Sequence, residues 1–529
     1  MAVIMPVADK TELIANAAGR VVPELVNGRQ QVPYMGLGKY RPVGSKAAPP
    51  IRSAADYPSN GDKRVSDLET ALRKCGLRDG MVMSSHHHLR DGDRVALMAL
   101  EAAAKIGVKD LTWFPSASFP SQKGAIELMQ SGVIDHIEGS MNGPLGDYCT
   151  QGKMRGMGVL RSHGGRWQAI QDGEVHIDVA VIAAPTADAF GNCDGSHGKS
   201  ACGSLGFALA DSIYADHVIA VTDNLVPFPC VPWQIQGNNV DYVVEVDSIG
   251  ESAKIVSGTT QITRSPDRLR IAEFVARFLR DAGIMRDGFS FQAGSGGIAL
   301  AFVSYLKQMM KQAGVKARFV RGGSTKYLVE LLEEGLTDYI LDGQTFDLEG
   351  VRSIGDNPRH VATSPFTSYN YHGKGNFASM LDAVVLGATE VDVNFNANVV
   401  THSDGRLLHG IGGWQNCLAS RCTILAVPSF RDRIPIVVDQ VTTLCGPGEL
   451  IDVVVTERGI AINPKRQDLM DALKGSKLPI RSLREIKEEV ERICGGKPQR
   501  PKRGGRPVAV VKWVDGTVLD TVWQLPEVK

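Results

Sequence analysis

Between Glu390 and Asn416 the sequence reads EVDVNFNANVVTHSDGRLLHGIGGWQN, and it gathers groups suited to polar chemistry. Asn394, Asn396 and Asn398 recur at every second position, which the two-residue period of a strand puts on one face. Three amides on one face make a hydrogen-bonding wall rather than a core, so the spacing predicts a strand that faces a ligand or another polar surface. His402 and the turn Ser403-Asp404-Gly405 follow. Gly410, Gly412 and Gly413 then let the backbone approach a bulky group or take positive φ. Upstream, Gly294-Ser295-Gly296-Gly297-Ile298-Ala299 satisfies G-x-G-x-x-A between an expected strand, FSFQA, and a long expected helix. A nicotinamide site would want an acid at the end of the next strand. That strand, ARFVRGGS, ends in Arg321 instead. What remains is a set of backbone N–H groups at a helix N-terminus, aimed at an anion or a developing oxyanion.

Two cationic groups complete the candidates. His86-His87-His88 precedes Arg90-Asp91-Gly92-Asp93. Three adjacent histidines point in different directions and cannot share one metal, so the reading is either a solvated strand end or one of the histidines meeting a carboxylate or phosphate together with Arg90. RSHGGRW sets Arg161, His163 and Arg166 around two glycines, either as a second cationic group or as a plain surface hairpin.

These residues need a frame. From Ser66, expected to cap a helix with Glu69 completing a capping box, the chain alternates strand and helix: GMVMSS, RVALMALEAAAKIG, DLTWFP, QKGAIELMQSG, IDHIEG. That rhythm belongs to a parallel sheet with crossover helices. It returns roughly two hundred residues later with matched landmarks: Asp79-Gly80 with Asp287-Gly288, Gly107-Val108-Lys109 with Gly314-Val315-Lys316, and ELMQSGVID with ELLEEGLTD. DVAVIAAPTADAFG likewise runs parallel to EVDVNFNANVVTHSDG. The expectation is a duplicated α/β protein with its ligand at the carboxyl ends of the strands: an N-terminal arm over residues 1–65, α/β domains over 66–265 and 266–495, and a basic linker with a C-terminal β-hairpin over 496–529. The hairpin is expected from VAVVKWV, Asp515-Gly516 and TVLDTVWQL. The arm is read as wrapping a partner or a neighbouring domain. The linker, with Lys497, Arg500, Lys502, Arg503 and Arg506, is read as solvated or as a dock for an acidic carrier protein.

Composition narrows the classes. The 529 residues carry 58 basic and 58 acidic side chains, which gives no reason to expect nucleic acid. No apolar run is long enough for a membrane span, and nine scattered cysteines fit a reducing cytoplasm better than a disulfide framework.

The motifs DGMVMSSHHHLRDGD, HGGRW, IDVAVIAAPTADAFGNCDG, GKSACGSLGFALAD, FQAGSGGIALA, LEGVRSIGDNPRH, EVDVNFNANVVTHSDG, RDRIPIVVD and VTERGIAINPKR, in this order, resemble the citrate lyase alpha-subunit family over essentially the whole chain. The resemblance implies a tandem CoA-transferase-like fold and exchange of acetyl for citryl on the thiol of an acyl carrier protein, releasing acetate. It implies a hetero-oligomer with a beta subunit and a gamma (acyl carrier) subunit, citrate and an acetyl thioester as substrates, and no tightly bound cofactor, the CoA-like prosthetic group arriving on the carrier. Many related transferases carry a nucleophilic Glu before an Asn-Gly turn in the second half. Taking Thr401 to Gly405 as the corresponding place, no Glu stands there, which points to direct attack by a citrate carboxylate through a mixed anhydride. On this reading Gly296, Gly297, Gly412, Gly413, Asn394 and His88 are the catalytic candidates. Arg90, Arg321, Asn396, Asn398 and His402 are candidates for holding citrate, and Gly294, Ser295 and Gly410 for holding the carrier's arm. The malonate decarboxylase alpha subunit is similar in kind, so transfer to malonate or another small acid is the alternative, beside a scaffold without catalysis.

Overall fold

Val179–Ala184, VAVIAA, is buried at all six positions, and a strand covered on both faces belongs inside a parallel sheet. The computed structural model, which describes residues 12–40, 49–256, 261–370, 374–501 and 505–526, places it at the centre of seven parallel strands. Their order is Arg64–Val65, Tyr242–Glu245, His217–Thr222, Val179–Ala184, Val82–Ser85, Leu111–Pro115, Ile134–Ile137. A second sheet of eight runs His360–Ala362, Thr337–Thr345, Ala317–Ser324, Phe289–Ala293, Ala383–Leu386, Thr423–Ala426, Val453–Thr456, Gly459–Ile462, parallel except for the last pair.

Six strands of each sheet share one connectivity. In both, the first three strands lay down one side and the fourth crosses to the other. The matched landmarks do matched work: Asp79 accepts a hydrogen bond from the Lys109 amide at 2.8 Å, and Asp287 from the Lys316 amide at 3.1 Å. Each sheet also carries a small three-stranded unit beyond its fourth strand, Thr186–Asp188 with Cys193–Asp194 and Leu225–Val226, and Glu390–Asp392 with Ala397–Asn398 and Val437–Val438. Asp188 and Asp392 hold the same turn there through the amides two and four residues on.

Helix Gly297–Ala313 buries Ala299, Leu300, Phe302, Val303, Leu306 and Met310, the three-and-four spacing of one apolar face, and ends at Gly314 with φ +63°. The helix expected after Ser66 is Leu68–Lys74, but Asp67, not Ser66, is its cap: Oδ1 accepts from the Thr70 amide at 2.7 Å. The carboxylate already stands at the capping position, so Glu69 falls at the second helical residue instead of the third.

The C-terminal hairpin, Pro507–Lys512 with Val518–Trp523, is not set apart: its first strand pairs in parallel with Gly158–Leu160. The described part of the N-terminal segment packs on that hairpin, Asn16 donating to the Val518 and Leu519 carbonyls at 3.1 and 2.8 Å. In the linker, Lys497 pairs with Asp439 at 2.5 Å and Arg500 donates to Thr442 Oγ1 at 3.2 Å; Lys502 and Arg503 lie outside the described residues. All nine cysteines are free thiols, eight of them buried. No helix among the described residues is long and apolar enough to cross a membrane.

Candidate active site

Five strands of the second sheet, Phe289–Ala293, Ala317–Ser324, Thr337–Thr345, Ala383–Leu386 and Thr423–Ala426, end on a cleft of about 450 Å³. The crossing of the fourth strand to the far side of the first leaves a gap where helices depart in opposite directions, the place where open α/β sheets accept ligands. Gln292 and Ala293 form one lip, Val385 and Leu386 the other, and His163 and Phe207 close the cleft from the first half.

Arg321 is the electrostatic centre. It is 1% exposed, and Nη1 donates to Gln292 Oε1 and to the Tyr369 hydroxyl, both at 2.7 Å, while its guanidinium lies 4.3 Å from the centre of the Tyr369 ring. Nε is buried without a hydrogen-bond partner, and no carboxylate pairs with Arg321 among the described residues. No Asp or Glu lines the cleft among the described residues, whereas Arg268, Arg321 and Arg431 all do. A buried guanidinium is normally matched by an acid, and this unmatched one could take an anion from outside.

Its neighbours are held for the same purpose. Gln292 Nε2 lies 2.8 Å from Cys417 Sγ, fixing the amide with its oxygen toward Arg321. Burial pushes the Tyr369 phenol up to about 12, so it is a proton donor at neutral pH. His163, the first residue of helix His163–Gln171, is pushed down to about 3 by burial and the charges of Arg166 and Arg321, and presents a neutral ring. Behind it His87 is also held neutral, well below its ordinary value, by burial and the neighbouring His163, His88 and Arg90. Its Nε2 then donates to Gln344 Oε1 at 3.2 Å and its Nδ1 accepts from Ser116 Oγ at 2.6 Å.

The glycine loop opens the remaining wall. A side chain at Gly294 or Gly296 would meet almost nothing, and the first amides of the helix, Gly297 to Ala299, find no acceptor among the described residues. Unpaired N–H groups at the positive end of a helix of seventeen residues suit a phosphate, a carboxylate or an oxyanion. Two other glycines are set by close approach. A Cβ on Gly323 would stand 1.5 Å from the Phe346 ring, and one on Gly413 would stand 2.5 Å from the Tyr369 hydroxyl.

Six of the expected site residues line this cleft: Gly294, Ser295, Gly296, Gly297, Arg321 and Gly413. The asparagine wall does not. The pleat stops at Asp392, and a turn with Phe395 at φ +67° sends the three side chains apart. Asn394 is exposed beside Arg20 and Tyr34 in a separate concavity. Asn396 donates to Asp392 at 3.1 Å and accepts from the Gly448 amide at 2.9 Å. Asn398, fully buried, binds Glu390 and Thr401 at 3.0 Å. Asn192 repeats the Asn396 bracket in the first half, on Asp188 and the Gly237 amide, so these amides are structural joints that recur beside both sheets.

His88 is 1% exposed with neither ring nitrogen hydrogen-bonded, stacked on His86 and Phe207 and outside the cleft lining. Arg90 is buried behind the cleft wall, 4.4 Å from the Phe346 ring. His402 lies near Asp404, at 3.5 Å, on the turn that includes Gly405, away from the cleft. Gly410 packs on Ser140, and Gly412 accepts the His163 amide at 2.9 Å, so both shape the loop behind Gly413. Of the RSHGGRW group only His163 reaches the cleft: Arg161 is committed to Glu138 and Glu174, and Arg166 to Asp211 through two bonds of 2.6 and 2.7 Å. Gln292, Tyr369, Arg268 and Arg431 escaped the sequence reading. Gln292 had left a signal, a polar residue in an apolar strand just ahead of the glycine turn; Tyr369 left none.

Known proteins share this architecture. The family model "Citrate lyase, alpha subunit (CitF)" matches residues 61–525. The citrate lyase alpha chain of Haemophilus influenzae is 40% identical over 467 residues, covering 88% of this chain and 93% of that protein, and that of Klebsiella pneumoniae 39% over 500 residues, covering 94% and 97%. A crystal structure described as the alpha subunit of citrate lyase from Streptococcus mutans, in complex with citrate, superposes with a TM-score of 0.91 at 39% identity, covering 97% of this chain and all of that one. The alpha subunit of malonate decarboxylase from Acinetobacter baumannii, 15% identical, superposes at 0.61 over 83% of this chain and 89% of its own, a likeness of fold. The chain belongs to the citrate lyase alpha-subunit family.

Proposed function

We propose that the protein is the transferase subunit of a citrate lyase: it exchanges acetyl for citryl on the thiol of an acyl carrier protein and releases acetate. The observation that carries this reading is the buried Arg321, without an acidic partner, in a cleft lined by no carboxylate among the described residues. A carboxylate of citrate takes the vacant side of Arg321, with the Tyr369 hydroxyl and Gln292 as further polar partners. With no side-chain acid lining the cleft among the described residues to serve as nucleophile, the acceptor of the acetyl group is citrate itself. One of its carboxylate oxygens attacks the acetyl carbonyl, the C–S bond breaks, and a mixed anhydride and a thiolate form. The thiolate then attacks the citryl carbonyl, the anhydride C–O bond breaks, and acetate leaves. Each step passes through a tetrahedral oxyanion. The amides of Gly297 to Ala299, without an acceptor among the described residues, are the candidate donors for it, and losing one such donor typically costs about 3 kcal/mol of barrier. An ionised carboxylate needs no base, which agrees with a neutral His163. Holding carboxylate and thioester in register supplies roughly 7 to 11 kcal/mol more.

In this reading the carrier brings the CoA-like prosthetic group as part of the substrate, and a beta subunit receives the citryl thioester. The tandem CoA-transferase arrangement is supported by the repeated strand order of the two halves. The test is direct: purified protein given acetyl-CoA or the acetylated carrier releases acetate when citrate is added and much less with malonate. Acetate release with malonate and not citrate, or with no acid, refutes it.

A further inference from the structure

Arg431 stands on a tight hairpin, Phe430–Arg431 against Ile434–Pro435, whose two turn residues Asp432 and Arg433 both have positive φ. Glu457 fixes the base of this hairpin by accepting from the Ser429 amide at 2.9 Å, and Arg458 Nε donates to Ser429 Oγ at 3.1 Å. Arg268, in the first turn of helix Pro266–Asp281, faces the same opening. Neither arginine makes an ion pair or a side-chain hydrogen bond among the described residues, although Asp432 adjoins Arg431 in sequence. The two charges oppose each other: burial and the nearby Arg268 both lower the Arg431 pKa. Two guanidinium groups facing one opening without an acid destabilise the empty protein, and they suit a ligand that carries concentrated negative charge.

A tricarboxylic acid held by Arg321 lies at the strand ends on the floor of the cleft. Val385, Leu386, Ala426 and Pro428 give the same cleft an apolar lining, and the chain runs from Ala426 at its strand end through Pro428 to Arg431. That sequence of surfaces, an anion site at the reacting end, an aliphatic wall, then a second cationic group, matches a thioester borne on an amide-linked aliphatic arm that ends in phosphate. We propose that Arg268 and Arg431 form a phosphate clamp for the carrier arm of the thioester substrate, distinct from the carboxylate site at Arg321. This inference rests on the transferase reading above.

The experiment compares acetyl-CoA, which bears phosphate, with acetyl-pantetheine, which bears none, in acetate release at saturating citrate. Acetate release by the unaltered protein tests the transferase reading; the variants test the clamp. Arg431→Gln and the double variant with Arg268→Gln are expected to raise KM for acetyl-CoA about 10-fold and 100-fold. KM for acetyl-pantetheine, KM for citrate and kcat should stay within about threefold, with Arg431→Lys intermediate. The steepness of the acetyl-CoA KM against salt should fall in the double variant. Equal effects on both thioesters, an effect on citrate KM instead, or no effect on either overturns the clamp. Because neither side chain is tied to the fold by an ion pair among the described residues and their charges repel, melting temperatures that are unchanged or raised are expected; a double variant that melts much earlier assigns the pair to structure and also overturns it.

Discussion

Arg321→Met separates the two jobs a buried arginine can have, holding the fold and holding a ligand. For the ligand, the variant removes one partner of a desolvated charge pair with citrate, a loss of about 2–5 kcal/mol. At 1.36 kcal/mol per decade this is about 30- to 5,000-fold in kcat/KM for citrate. For the fold, two effects oppose. Gln292 Oε1 and the Tyr369 hydroxyl lose donors at 2.7 Å, costing about 1–3 kcal/mol each if nothing replaces them. Against that, a buried charge with no acid beside it disappears, which relieves a desolvation cost of several kcal/mol. The melting temperature should therefore stay within about 5 °C of the unaltered protein. Arg321→Lys, which keeps the charge but not the planar fork, should recover part of the activity. The assay is acetate release with citrate varied at saturating acetyl thioester, beside a thermal melt. A variant that keeps citrate kcat/KM within about threefold refutes the assignment of the anion site, as does one that fails to fold, because Arg321 would then be a pillar of the fold.

Two further outcomes follow from the placement of other side chains. Asn396→Ala removes the acceptor of the Gly448 amide and a donor to Asp392, so it should cost about 1–3 kcal/mol in denaturant unfolding with citrate kcat/KM unchanged, while Asn394→Ala, exposed and outside the cleft, should be within about 0.5 kcal/mol of neutral and fully active. Loss of activity in Asn394→Ala with stability intact would return the asparagines to the site. Stability should also fall on acidification: His87, His88 and His163 are all held neutral in the folded chain below the ordinary histidine value, so unfolding takes up their protons as pH falls below 6.5. Each then lowers stability by up to about 1.4 kcal/mol per pH unit, for His163 down to about pH 3 where the folded form also protonates. His136 titrates oppositely: burial alone would lower its pKa, but Asp135 and Glu138 raise it, and its contribution is lost as pH rises instead. His88→Phe, which keeps the stack on Phe207, should flatten the dependence between pH 6.5 and 5 by one proton; an unchanged slope in urea melts would show that His88 is protonated in the folded state.

The two parallel sheets with their matched strand order were legible because parallel sheets write their connectivity into the sequence as buried runs closed by Asp-Gly and Gly-Val-Lys landmarks, and the glycine loop at Gly294 to Gly297 was legible because helix N-termini after strands have a fixed punctuation. The asparagine wall failed for a local reason. Period-two spacing implies one face only while the backbone stays extended, and Phe395 at φ +67° breaks the pleat between the first and third amide. The triple histidine failed for a tertiary one. His86 pairs with Asp211 at 2.9 Å and Arg166 shares that carboxylate, so the first half fills its own crossing point with side chains. The carboxylate that neutralises Arg166 is forty-five residues away in sequence, and nothing local marks Arg166 as matched and Arg321 as unmatched.

That difference can be engineered. Gly343 sits in the strand beside Arg321, and a Cβ there would lie 3.4 Å from Arg321 Nη2, an ordinary contact. Gly343→Asp would give Arg321 the internal acid that Arg166 already has. The charge pair would then occupy the position meant for the substrate, and citrate would have to displace a covalently tethered competitor. The expected result is a loss of citrate kcat/KM comparable to Arg321→Met, about 30-fold or more, with a melting temperature equal to or above that of the unaltered protein. Gly343→Asn, nearly the same shape without the charge, should lose far less, because crowding alone leaves the guanidinium unpaired. Equal losses in the two variants, read in the same acetate-release assay, would mean that the space beside Arg321 matters and its missing counter-charge does not.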